Sequence, residues 1–131
     1  MVHEAGDLVI RVTAMPTDLN PYGGVFGGWL MSQLALGAAS LVTRRTGHKA
    51  VVVGATDFTF PGVMVVGDEL NVYAHVSRTG RTSMTIVTRG FGRARASEDE
   101  AEVARGTFTF VTLDENDRPR AIAVPPAAQT E

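Results

Sequence analysis

Between Leu19 and Thr43 the chain carries no charged side chain, and the apolar residues of that stretch follow no single stripe. Trp29, Leu30, Met31, Leu34, Leu36, Leu41 and Val42 fall almost all round a helix running from Gly27 to about Arg45. A helix apolar on every side is predicted to be buried on most sides, not amphipathic. Gly47 is placed to end it, with Arg44 and Arg45 in the last turn, where cations suit the helix dipole.

Elsewhere the period is two. Leu8–Thr13 reads as a short first strand, and the Met15-Pro16 and Asn20-Pro21 pairs mark a loop, because a residue before proline is pushed out of the α region. Past the helix, strand character starts at Ala50 and runs through Phe58 and Phe60 to a break at Pro61-Gly62. Leu70, Val72, Ala74 and Val76 then alternate with polar residues, giving a half-buried strand. A turn at Thr79-Gly80 leads into a strand from Thr82 to Arg95, with Met84 and Ile86 on its apolar face. Ser97–Glu102 is predicted as an acidic loop. Val103–Leu113 is the last strand, with Phe108 and Phe110 on one face. Residues from about 120 onward read as a poorly ordered tail.

One long helix and mostly antiparallel strands predict an α+β fold in which a sheet wraps the helix. One sheet cannot cover such a helix alone, so a symmetric dimer is expected. The 131 residues suit a single domain, 1–131, with 44% apolar residues and a net charge of −2. That balance argues against nucleic acid as the main partner. With no cysteine there is no disulfide, thiolate metal site or thiol nucleophile. Met1–Asp7 lacks the apolar core of a signal peptide, and Pro21 and several glycines interrupt the uncharged run, so a cytoplasmic, non-membrane protein is expected.

Candidate chemistry concentrates in Asn20–Ala35. A Gly27-Gly28 pair at a helix start leaves backbone N–H groups open to a ligand oxygen, with the dipole adding partial positive charge. Asn20 offers a neutral amide, or else an Asx turn before Pro21. Trp29 is a core anchor more readily than a binding platform. His3, His48 and His75 are too scattered to suggest a metal site and read as solvated. The glycines of residues 23–28 lack the Lys-Ser/Thr ending of a phosphate-cradling loop.

Five segments, in order, resemble the hot-dog fold acyl-CoA thioesterases, of the short bacterial YciA-like type. They are Asp18-Leu-Asn20-Pro-Tyr-Gly23, Phe26-Gly-Gly-Trp-Leu-Met-Ser-Gln33, Phe58-Thr-Phe-Pro61 with Gly67-Asp68, Gly80-Arg-Thr-Ser83, and Thr107-Phe-Thr-Phe-Val111. The resemblance spans about Val12 to Ile122. It implies a hot-dog fold of about five strands, dimers with a continuous sheet that often assemble into hexamers, and acyl-CoA bound in a tunnel between chains. It further implies thioester hydrolysis with no cofactor beyond the CoA of the substrate. Gly27 and Gly28 would bind the carbonyl oxygen, Asn20 would be catalytic, and Gly80, Arg81, Thr82 and Ser83 would meet the pantetheine and phosphate part of CoA. A plain hairpin connection is the alternative for that turn. Arg89, Arg93 and Arg95 are further phosphate candidates, expected on one side of their strand with Arg81.

The chain departs from the family at one position. Members carry an acidic residue seven places after the second glycine, and here that place is Ala35. A carboxylate there would act as nucleophile or general base, and alanine can do neither. Asp18 and Asp57 are the nearest substitutes in sequence, each equally read as a turn or surface carboxylate. An inactivated engineered variant, a homologue that hydrolyses slowly or with another base, and an acyl-CoA binder without turnover all fit Ala35.

Overall fold

A computed structural model describes residues 3–122; the predicted tail beyond Ile122 lies outside them. Strand β1 (Asp7–Thr13) leads through a 3-10 turn at Pro16–Asp18 and a loop into helix α1 (Gly27–Thr46). Strands β2 (Ala50–Thr59), β3 (Glu69–Thr79), β4 (Ser83–Arg93) and β5 (Glu100–Thr112) follow. All five form one antiparallel sheet in the order β1-β3-β4-β5-β2, with α1 packed across it.

The alternation in β3 and β4 sets which face meets the helix. Leu70, Val72, Ala74 and Val76 are buried with Met84, Ile86, Phe108 and Phe110 against Leu30, Leu34, Ala38, Leu41 and Val42 of α1. Helix and sheet pack tightly at Gly37, where a Cβ would lie 2.6 Å from Cγ2 of Val9. Gly47 ends the helix at φ 72°, its N–H donating to the Thr43 carbonyl 2.9 Å away.

The helix is less enclosed than its pattern implies. Met31 and Leu36 are exposed, because one sheet reaches only one side of the cylinder. Val51, Val52 and Val53 are exposed as well, on β2, the last strand in the order and so one with an unpaired edge. Valine-rich at its start and with Asp57 as its one charged residue, that edge is suited to another strand.

Two local expectations are corrected. The acidic stretch does not stay a loop: Glu100–Glu102 begin β5, because Glu102 gains Arg89 and Arg105 as partners across and along the sheet. At the edge of the described residues, Arg120 N–H donates to the Thr112 carbonyl and Ile122 N–H to that of Arg81, each at 2.8 Å. His3 is not simply solvated. Its ring stacks on Tyr73 at 3.8 Å, and its Nε2 lies 2.8 Å from a Glu100 carboxylate oxygen. His48 likewise takes a hydrogen bond from Arg120 at Nδ1.

Candidate active site

The loop before α1 is tied down by its own polar groups. Asn20 Oδ1 accepts the Tyr22 N–H at 2.7 Å, an Asx turn that Gly23 continues at φ 101°. The Phe26 N–H reaches the Asp18 carbonyl at 2.8 Å and the Val25 N–H that of Met64 at 3.0 Å. The Asp18 carboxylate turns back to the Met15 N–H at 2.9 Å, so it serves the 3-10 turn.

Those constraints aim the start of α1. The N–H groups of Trp29 and Leu30 both fall on the Phe26 carbonyl, at 3.0 and 3.2 Å. Gly27 and Gly28 are thereby left with no acceptor among the described residues, and the first turn holds no acidic side chain to compete for them. Gly28 opens onto a cavity of about 340 Å³ that it lines with Ser32 and Ala35 of α1, Ala55 and Phe58 of β2, and Phe108 of β5. A second cavity of about 390 Å³ continues along the helix. Ser32 and Ala35 line it too, followed by Leu36, Ala39, Val52 and Phe110. Ala35 therefore stands at the junction of two apolar spaces.

No carboxylate lines either cavity among the described residues. Asp57 lies on β2 at φ 57°, where the pairing with β5 slips between Thr56 and Thr59. The irregularity leaves Phe58 packed over Gly106 and edge-on to Phe108, while the Asp57 carboxylate is exposed and takes a 3.3 Å hydrogen bond from the Thr56 hydroxyl. Trp29, as expected, packs against the core.

The Gly80–Ser83 turn is not brought to Gly27 and Gly28. It connects β3 to β4 beside Thr112 and Ile122, at the C-terminal end of α1, whereas the glycine pair opens the N-terminal end. Twenty helical residues separate the two ends by about 30 Å. Within the turn the Gly80 N–H donates to the Ser83 carbonyl at 2.8 Å, and the Arg81 side chain is exposed. Arg89 and Arg93 do share the outer face of β4, but each is engaged. Arg89 grips Glu102 through Nε and Nη2 at 2.9 and 3.2 Å, and Arg93 holds the Glu69 carboxyl below its usual range.

Sequence reasoning gave Gly28 and Ala35 a role, whereas Ser32, Phe58 and Phe110 stood in the family-like segments without one and Val52 stood in none. Ser32, Phe58, Val52 and Phe110 became neighbours only when β2 and β5 paired alongside α1.

The fold and the glycine-led helix match known proteins. A family model described as the thioesterase superfamily covers residues 22–93, from the Asx turn to the end of β4. This chain belongs to the thioesterase superfamily. It is 42% identical over 126 residues to an uncharacterized acyl-CoA thioester hydrolase of Zymomonas mobilis, covering 96% of this chain and 83% of that one. With the acyl-CoA thioester hydrolase YciA of Escherichia coli it shares 38% identity over 122 residues, or 91% and 92% of the two chains. Among solved structures, the aspartate-to-alanine mutant of HI0827, a hexameric broad specificity acyl-coenzyme A thioesterase, superposes with a TM-score of 0.87. It has 35% identity, and 95% and 91% of the chains are covered. This thioesterase-superfamily chain thus has the hot-dog architecture, one helix against a five-stranded antiparallel sheet. In the acyl-CoA hydrolase of Staphylococcus aureus, 25–27% identical with TM-scores of 0.80–0.82, the asparagine and the aspartate chosen for alanine mutants are fifteen residues apart. Asn20 and Ala35 have the same separation.

Proposed function

We propose that this chain is an acyl-CoA thioester hydrolase whose helix carboxylate is replaced by Ala35, so that it binds acyl-CoA and releases CoA and a free carboxylic acid slowly. The observation that carries this reading is the junction itself. The Gly27 and Gly28 N–H groups have no acceptor among the described residues, Gly28 lines an apolar trough, and Ala35 stands one turn past Ser32 within it.

In the reaction, water adds to the thioester carbonyl carbon and its oxygen becomes an oxyanion. The Gly27 and Gly28 N–H groups stabilise that charge, aided by the helix dipole. The C–S bond then breaks, and the sulfur leaves as CoA with a proton. Asn20 keeps its oxygen in the Asx turn, which leaves its NH₂ to orient water or the carbonyl. A positioned base would take the proton from water, and Ala35 supplies none. No cofactor is needed beyond the CoA carried by the substrate.

A second copy completes the site. Pairing of β2 with its equivalent in an antiparallel dimer would cover Val51, Val53, Met31 and Leu36 and wall the trough. It would also bring the partner's Gly80, Arg81, Thr82 and Ser83 toward Gly27 and Gly28, which a single chain holds about 30 Å away. Arg81 would then meet CoA phosphate across the interface. The hexameric state of the HI0827 thioesterase supports an oligomer; in this reading such dimers build it, and the protein is cytoplasmic.

The alternative, acyl-CoA binding without hydrolysis, is favoured by one specific observation, the absence of any carboxylate lining the trough among the described residues. Initial rates on butyryl-, decanoyl- and benzoyl-CoA, with calorimetric titration of CoA, separate the two. Slow turnover supports the hydrolase, and binding with no turnover supports the binder. Neither binding nor turnover would defeat both.

A further inference from the structure

We propose that Phe26 is a positioning residue of this site: it leaves the first turn of α1 uncapped and, with Phe60, walls the Gly27 and Gly28 N–H groups against water. This deepens the acyl-CoA reading above and rests on it. Phe26 occupies the N-cap of α1, where serine, threonine, aspartate or asparagine is the usual choice because a side-chain oxygen there takes a first-turn N–H. A phenyl group has no such oxygen, and the Phe26 side chain makes no capping hydrogen bond. A helix that spent its first donors on a cap would have fewer left for a carbonyl.

The backbone of Phe26 is nevertheless fixed at both ends. Its N–H donates to the Asp18 carbonyl at 2.8 Å, and its own carbonyl takes the Trp29 and Leu30 N–H groups. The ring is not held by the core between helix and sheet; it is 53% exposed and folds over the first turn instead. A Cβ on Gly28 would lie 2.4 Å from the ring's Cε2 and 3.0 Å from its Cδ2, so the ring stands where any larger residue would place its side chain. Gly28 therefore seats the ring. At Gly27 the neighbour is Phe60, 44% exposed just past the end of β2, whose Cε1 and Cζ would lie 3.8 and 3.9 Å from a Cβ there. One ring thus borders each glycine of the pair. Apolar rings beside the two donors lower the local dielectric, and a hydrogen bond to a developing oxyanion is stronger where water is excluded.

A CoA analogue in which a methylene replaces the thioester sulfur, with an isotope-labelled carbonyl, tests this. It cannot be hydrolysed, and its infrared carbonyl stretch reports the hydrogen bonds the oxygen receives. Bound to the parent, the stretch should fall below its value in water. Phe26→Ala should bring it most of the way back, whereas Phe26→Tyr, which keeps the ring, should hold it low. Phe26→Ser supplies the missing cap, so its melting temperature should exceed that of Phe26→Ala while the carbonyl shift is still lost. Gly28→Ala should lose the shift when Phe26 is present, since the ring must swing away, and add little to Phe26→Ala. If Phe26→Ala fails to fold, Phe60→Ala, beside the other glycine, should reduce the shift instead. A shift untouched by Phe26→Ala, Phe26→Ser and Phe60→Ala overturns the proposal and leaves acyl-CoA binding intact, as does a parent-bound carbonyl that keeps its water value. An analogue that fails to bind the parent defeats the acyl-CoA reading, and this proposal with it.

Discussion

Ser32 and Ala35 lie one helical turn apart at the meeting point of both apolar cavities, and the only polar atom of the pair is bonded back to the Gly28 carbonyl at 2.9 Å. Nothing on these two side chains can take a proton from water at the carbonyl. In the proposed hydrolase the N–H groups at the helix start would meet the oxyanion, and Ala35 puts a methyl group where the base would stand.

Ala35→Asp should therefore accelerate hydrolysis of short-chain acyl-CoA. A positioned general base contributes about 10²–10⁴-fold in rate. Stopped or continuous thiol-release assays on the parent and the folded variant measure the gain. Equal rates would mean that the rest of the site has diverged too.

Asn20 Oδ1 closes the Asx turn onto Tyr22. In the proposed reaction its NH₂ would be the group that meets the reactants. Asn20→Asp keeps the turn acceptor, so its melting temperature should stay near the parent's while turnover in the Ala35→Asp background falls. Asn20→Ala should lose the turn as well, costing about 1 kcal/mol. If both variants kept full turnover, the amide would have no part in the chemistry.

Gly37→Ala should destabilise the fold despite alanine's better helix propensity. The added methyl would sit 2.6 Å from Val9, 3.2 Å from Ile10 and 3.3 Å from Val72, all side chains braced by the sheet. Overpacking of that kind costs about 1–3 kcal/mol, against about 1 kcal/mol gained from propensity. Urea denaturation should give a lower midpoint than the parent; an unchanged or higher one would show that β1 yields freely.

Acid stability should depend on Glu102. Hydrogen bonds from Arg89, then Arg105, pull its carboxyl from 4.5 to about 2 against the opposing effect of partial burial. Because the folded value is depressed, the stabilisation is complete above about pH 4.5 and is lost as pH falls toward about 2. Glu102→Gln should remove about 2 kcal/mol at neutral pH and flatten the profile over that acid window. Parallel profiles for parent and variant would show that other carboxylates control acid unfolding.

The sequence by itself determined the elements and their inward faces. A change from all-round apolar helix to period-two strands is a local property, legible without contacts, as are Gly47 at the helix end and the glycine pair at its start. The expectation of a carboxylate at position 35 came from the family resemblance, counted from Gly28, and not from any pattern in the chain itself. Partner-dependent features were not legible. Glu102 looked like loop until Arg89 reached it diagonally from β4, and His3 looked solvated until Tyr73 and Phe91 offered a surface to stack on. The trough belongs to the same class, since its walls come from β2 and β5, whose pairing joins residues such as Ala50 and Thr112 that lie far apart in the chain. Most telling is the distance between Gly28 and the Gly80–Ser83 turn. Motif order along a chain says nothing about which end of a helix a hairpin will reach, and here strand direction sends the two motifs to opposite ends. Only the tertiary structure could place them there, because strand direction in an antiparallel sheet is set by pairing with distant segments.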